Sequence, residues 1–334
     1  MTIKSSGSPN PPLSFTEIEA EFGSNGDRSL GSYRLQQNIG SLTNLPLDSG
    51  IPTSGEIKFS DFYGKRLNVV VDCFSGGDET RTIAKNDKWN NNQLTVIGGF
   101  RSQKEAGSKI IINVNKKICS DKNGVNNCAL KTGSWDATAV VQVDVGSSGK
   151  ILGSGGDGGR GQNGVSGSAQ GGFDGSSGLG IEVNNTTVNI ASGGVIRAGF
   201  GGGGGGGGSR QVDKGEDRRA SGGGGGGGAG CPPGNGGAGG STSVAGQAGD
   251  AGGDTGANPP ELSGGSGGSG GNNVGEAVGG TGGTGGGVSG SAGGSSGGAG
   301  GDGAAIRRTS GFTVNIDSAS QSRCEGSITA TGTS

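Results

Sequence analysis

The chain has 334 residues, of which 85 are glycine, 28% are hydrophobic and 4% are aromatic, and it contains no histidine. That apolar share is small for a conventional core at this length, and the missing histidine removes the commonest general base and metal ligand. A net charge of -2 without a long basic run argues against nucleic acid or an anionic membrane as partner, and no apolar stretch approaches the ~18 residues of a spanning helix.

Glycine is unevenly shared, with 70 of the 85 lying in residues 146–334. The chain therefore reads as a docking segment (1–65), a β-domain (66–145) and a glycine-rich domain (146–334). The first residues, MTIKSSGSPNPP, lack the apolar centre of a secretory signal. With no export signal, the five cysteines are expected as free thiols, although Cys119 and Cys128 could close a small hairpin.

Ser14-Phe15-Thr16-Glu17 fits a capping box, with Leu13, Phe15, Ile18 and Phe22 on one side of a short helix that Gly23 ends. A related phrase recurs as Ile57-Lys58-Phe59-Ser60-Asp61-Phe62-Tyr63-Gly64. These turns, together with Tyr33, read either as a docking segment that orders on a partner or as a layer packed on the next domain. Both readings stay open at this point. From 66 to 145, β signals at Val69–Val71, Leu94–Ile97, Lys109–Asn115 and Ala139–Val145 are separated by Asn, Asp and Gly clusters. A small sandwich is the expected form.

The glycine-rich half repeats sequence that is not glycine. Val143-Asp-Val145-Gly-Ser-Ser-Gly-Lys-Ile151 is echoed 45 residues later by Val188-Asn-Ile190-Ala-Ser-Gly-Gly-Val-Ile196, and Thr187-Val-Asn-Ile190 returns as Thr313-Val-Asn-Ile316. A flexible linker is the competing reading on composition, but a linker has no reason to repeat strand seeds. Within the tracts the phase is often three, as in SGG-SGG-SGG from Ser263. A glycine chain in a left-handed helix with three residues per turn makes no internal hydrogen bonds, so its backbone must pair with neighbouring helices. Side chains are then tolerated on one edge only. Collagen is excluded, because glycine is not confined to every third position and only four prolines lie in this half. The expected fold is mainly β and irregular, ending in a polyglycine II sandwich with distal loops.

The run from Val188 through Phe200 into eight glycines, the insert Ser209 to Ser221, and the second block Gly222–Gly228 followed by Ala-Gly-Cys-Pro-Pro resemble the glycine-rich tail-fibre tip adhesins of T-even-type bacteriophages. The Phe59-Ser-Asp-Phe-Tyr-Gly-Lys65 phrase looks like segments of virion proteins from marine cyanobacterial phages. The resemblance, over about 146–334, implies a stacked polyglycine II sandwich whose intervening loops touch a host receptor, a surface protein or polysaccharide. It also implies mounting on a tail-fibre or other virion protein. Because the glycine array needs no second chain, one copy per tip is expected.

Candidate contact residues follow from that picture. The insert places four basic and three acidic side chains in thirteen residues. Arg210, Lys214, Arg218 and Arg219 suit phosphate or carboxylate, with Val212 and Glu216 beside them. Pro232, Pro233, Pro259, Glu261, Leu262, Asn272 and Asn273 are expected on similar loops. Gly234–Gly239 matches G-x-G-x-x-G but follows no strand, and 297–305 nearly matches a calcium nonapeptide in a single copy, too few for a β-roll. No cofactor, metal or enzymatic site is expected. The alternatives are a structural virion cap and, more remotely, an ice-binding protein built on a flat polyglycine array.

Overall fold

Apolar runs only a few residues long cannot close a core by themselves, and this chain stacks them on one another. A computed structural model describes residues 3–7, 11–23, 28–39, 42–73, 81–82, 92–93, 108–121, 124–135, 138–163, 167–213, 216–240, 292–293, 295 and 297–332. Among these the fold is mainly β and irregular. Three sheets of parallel strands carry its core.

The first sheet runs through Asn68–Cys73, Lys109–Val114, Val140–Val145, Thr186–Ile190 and Val314–Ile316, with Asn92–Gln93 antiparallel at its edge. The second holds Lys117–Cys119, Lys150–Leu152, Val195–Arg197 and Cys324–Glu325. The third holds Arg81–Thr82, Cys128–Lys131, Ser177–Ile181, Ile306–Arg308 and Ala330–Thr331. From Lys109 onward the chain visits first, second and third sheet in the same order, turn after turn. This is a three-sided parallel β-solenoid.

Its interior is a set of vertical columns. Val71, Ile112, Val143, Val188 and Ile316 stand in register on the first sheet, and Ile118, Ile151, Ile196 and Cys324 on the second. Leu130, Leu179 and Ile306 complete the third, and all of these columns meet in one apolar cluster. On the outer side of the first sheet Asn113, Asp144 and Asn189 form a polar column, in which Asn189 Nδ2 donates to Asp144 Oδ1 at 2.8 Å.

The 45-residue repeat is therefore one solenoid turn, since Val143 pairs with Val188 and Ile151 with Ile196. The verbatim Thr-Val-Asn-Ile repeat is offset differently from its pairing. Val188 stands against Ile316 rather than Val314, a two-residue shift that keeps each side chain on its own face. The boundary expected at 145/146 runs through all three sheets, and the 66–145 strands are solenoid turns rather than a sandwich. The strand signals at Val69–Val71, Lys109–Asn115 and Ala139–Val145 fall on observed strands whose partners lie one turn away, and Leu94–Ile97 lies outside the described residues.

The N-terminal segment covers the first two turns of the first sheet. Ser14 and Glu17 form the expected capping box, with Glu17 N donating to Ser14 Oγ at 3.3 Å and Ser14 N to Glu17 Oε2 at 2.8 Å. A hydrogen bond from Lys4, with these cap bonds, lowers the Glu17 pKa to about 2. Ile18, Phe22, Tyr33 and Phe62 are buried among Leu47, Leu67, Val70 and Ile111, with Leu13 and Phe59 packed at the margin. Phe22, Tyr33 and Phe62 meet edge to face, as do Phe15 and Phe59 at 4.9 Å between centroids, and Tyr63 Oη donates to Pro11 O. The reading of these aromatics as a virion-docking surface is corrected: they pack the segment onto its own solenoid. Burial of rings of this size dominates such a small core.

Glycine tracts leave the solenoid at one corner, between the second and third sheets. Six are described: A (153–162), B (170–178), C (199–208), D (221–230), E (232–240) and F (297–305). They form two layers of three, E-A-B over D-C-F, joined by N–H···O bonds that recur every third residue. Tract A donates to C from Gly156, Gly159 and Gln162, and to E from Gly155, Gly158 and Gly161, all at 2.8–3.0 Å. Tract D donates back to A from Gly222, Gly225 and Gly228 at 2.7–2.9 Å. This is the bonding of a polyglycine II lattice. Side chains keep the same phase, with Ser154, Asp157 and Arg160 on A, Pro232, Asn235 and Ala238 on E, and Ala299, Asp302 and Ala305 on F. The SGG and TGG runs from which the phase was read lie outside the described residues.

Cysteine pairing differs from the expectation. Cys119, on the second sheet, is bonded to Cys231 in the D–E turn, 112 residues away, while Cys128 is a buried free thiol. Cys119 and Cys128 are near in sequence but stand on different sheets, so no hairpin joins them.

Candidate functional site

Tracts A, C and E run away from the solenoid, and B, D and F return to it. The lattice thus has a base against the solenoid and a free end. The A–B turn (163 and 167–169) and the C–D insert lie at the free end, where tract E also ends and tract F begins. The D–E turn is at the base. Pro232 and Pro233 therefore lie away from the free end: Pro232 is half-buried and its O accepts from Gly155 N at 2.9 Å, Pro233 is exposed, Cys231 N donates to Gly153 O at 2.8 Å, and the disulfide joins the same turn to the second sheet.

The charged insert folds as an antiparallel hairpin, Ser209–Asp213 against Glu216–Ala220. Its register sets Arg210 opposite Arg219, Gln211 opposite Arg218, Val212 opposite Asp217 and Asp213 opposite Glu216. Residues Ala292–Gly293 add a third antiparallel strand beside Ser209 and Arg210. Lys214, Pro259, Glu261, Leu262, Asn272 and Asn273 lie outside the described residues.

Sequence reasoning missed the residue that seats this hairpin. Gln162 is buried, and both of its faces are used. Its Oε1 accepts from Gly208 N at 2.9 Å, at the foot of the first strand, and its backbone carbonyl accepts from Gly222 N at 2.9 Å, just past the second. Its Nε2 donates to Gly167 O at 2.7 Å and closes the A–B turn. The available signal was phase: Gln162 breaks the three-residue rhythm of Ser154, Asp157 and Arg160. Gln162→Ala leaves the Gly208 amide without its buried acceptor, which costs about 1–3 kcal/mol. The expected result is faster amide exchange at 208–222, with the solenoid amides unchanged by hydrogen-exchange mass spectrometry.

Carboxylates hold the lattice rims. Asp157 Oδ1 accepts from Asn235 N at 2.7 Å, Asp174 Oδ1 from Gly301 N at 2.7 Å, and Asp302 Oδ1 from Gly201 N at 2.9 Å. Each satisfies a backbone donor that points out of the lattice. Among the described residues no group of three or more acidic or cysteine side chains could hold a metal ion.

A family model described as phage tail fibre adhesin Gp38 matches residues 78–281. The crystal structure of the gp37-gp38 adhesin tip complex of the bacteriophage S16 long tail fiber is similar at 18% identity and a TM-score of 0.39, covering 95% of this chain and 98% of that one. No curated protein matches. The family match spans more than half of the chain, from the solenoid through the hairpin and into the later tracts, and the chain belongs to the phage tail fibre adhesin Gp38 family.

Proposed function

We propose that this tail fibre adhesin binds a host-surface protein or polysaccharide, without catalysis, through the connections at the free end of its lattice. The observation that carries the reading is the sorting of the connections. The proline turn and the disulfide face the solenoid, while the charged hairpin stands at the opposite end on a buried glutamine. A rigid support of this kind lowers the ordering cost of binding, and the hairpin's arginines suit acidic or phosphorylated surface groups. Mounting on another tail-fibre protein fits the same arrangement, because the solenoid lies on the side away from the receptor. Phe22, Tyr33 and Phe62 are buried within the chain, which leaves that task to other surfaces.

The test is adsorption of the fluorescently labelled full chain to a panel of bacterial strains, beside a variant with 210–219 replaced by Gly-Ser residues. The expected result is saturable binding to a susceptible strain that the replacement reduces by roughly tenfold or more, as for loss of a central contact. Equal saturable binding by both folded proteins would move the contact to another connection. No binding by either would favour a structural cap.

A further inference from the structure

The N-terminal segment covers the outer side of the first sheet at Val70 and Ile111, but the later turns of that side are open. There the polar column of Asn113, Asp144 and Asn189 runs into the corner between the first and second sheets. A cleft of about 360 Å³ lies in this corner, with Asn113, Asn115, Asp144, Asn189, Asp317 and Arg323 in its polar lining. The stretches that form it, 113–116, 144–149, 189–194 and 317–323, are each described without a break.

The corner is held from behind. Ser320, buried in the short helix Ser318–Gln321, accepts at Oγ from Ile190 N at 2.9 Å and donates its N–H to Asp317 Oδ1 at 2.6 Å. Hydrogen bonds from Ser320, the main-chain one foremost, hold the Asp317 carboxyl below its ordinary pKa. Arg323 Nη1 donates to Ile190 O at 2.5 Å. Asp144 accepts from Gln142 Nε2 on both oxygens and from Asn189 Nδ2 on Oδ1, each at 2.8 Å. A carboxylate has about four lone-pair sites, so Asp144 Oδ2 keeps one for a ligand. Asn189 Oδ1, the Asn115 carboxamide and the other guanidinium N–H groups of Arg323 have no partner among the described residues. Unused acceptors and donors therefore stand side by side, on rungs about 4.8 Å apart.

The charges of the cleft select against ions. An anion meets Asp144 and Asp317, and a cation meets Arg323, whereas like charges brought together cost affinity. A hydroxyl both donates and accepts, so it matches carboxylate, carboxamide and guanidinium alike. Small-molecule sites run to about 300–1,000 Å³, and this cleft stands at the lower end, with room for one ring. We propose that it is a subsite for one neutral sugar residue of the host surface polysaccharide, whose hydroxyls bond to Asp144, Asn189, Asn115 and Arg323. This contact lies on the flank of the solenoid, apart from the free end of the lattice. Its assignment to a host polysaccharide rests on the receptor-binding reading, while the binding of sugar does not.

The test titrates the full chain with methyl glucoside, galactoside, mannoside and rhamnoside, and with glucuronate and glucosamine as charged counterparts, by calorimetry and ligand-observed NMR. At least one neutral glycoside is expected to bind with a Kd on the order of 1 mM, more tightly than either charged sugar. Asp144→Asn should weaken it roughly tenfold, the scale of a hydrogen bond to a charged group. Ala191 lines the cleft and is exposed, so Ala191→Phe obstructs the site without removing any side-chain hydrogen bond of the corner. That variant should abolish binding and leave thermal unfolding unchanged. No neutral glycoside bound, charged sugars bound as tightly, or binding that either variant leaves unchanged overturns the proposal. Replacement of 210–219 is expected to leave glycoside binding intact. Glycoside binding without cell adsorption by the native chain refutes the receptor reading and retains the subsite, and adsorption without glycoside binding does the reverse.

Discussion

Gly202→Ala is expected to damage the lattice, and Gly298→Ala to leave it intact. A methyl at Gly202 lands inside van der Waals contact with the backbone carbonyl of Asp157, whereas one at Gly298 meets nothing within 4 Å. Neither glycine has the positive φ that would itself demand glycine, so the requirement at Gly202 is space alone. The Asp157 carbonyl cannot retreat cheaply, because it accepts the Phe173 N–H that ties B to A. Overpacking typically costs about 1–3 kcal/mol, and a lost hydrogen bond adds about 1 kcal/mol. The expected destabilisation at Gly202 is thus about 2–4 kcal/mol. At Gly298, alanine reduces the freedom of the unfolded chain and should be neutral or stabilising by up to about 1 kcal/mol. Denaturant unfolding of the two variants checks this, and equal midpoints would refute a close-packed lattice.

Removing the Cys119–Cys231 bond carries the other large effect. It closes 112 residues of chain, and cross-linking a loop of that size is worth about 4–5 kcal/mol in the chain-entropy account. The paired Cys119→Ala, Cys231→Ala variant should lose a comparable amount, with the D–E turn and tract E losing amide protection before the solenoid. Reductant should destabilise the native chain and have no effect on that variant. Re-pairing with Cys128 is suppressed, since burial raises its pKa to about 11 and leaves little thiolate to attack at neutral pH. A stability loss below about 1 kcal/mol would mean that lattice bonds alone fix the turn.

The glycine lattice was legible in the sequence because its cause is compositional. Only an array lacking Cβ atoms can use unbroken glycine, and the strand seeds around it repeat. The solenoid was less legible. Its columns pair Val71, Ile112, Val143, Val188 and Ile316, whose separations of 41, 31, 45 and 128 residues share no period. Only the 45-residue turn left a visible echo, because the lattice is inserted at one corner and stretches the later turn. The N-terminal aromatics show the limit of local patterning: a Phe-rich amphipathic turn looks the same whether its apolar face meets a partner or its own chain. The hairpin's seat on Gln162 depended on contacts across tracts.

The lattice bonds recur every third residue and use backbone atoms only. A tract therefore has a frame in the sense that a coding sequence does. Adding or deleting three residues slides the tract by one helical turn and returns every donor to an acceptor, whereas a change of one or two misaligns them all. Tract length is thereby quantised: whole triplets can enter or leave while the connections at the free end keep their support.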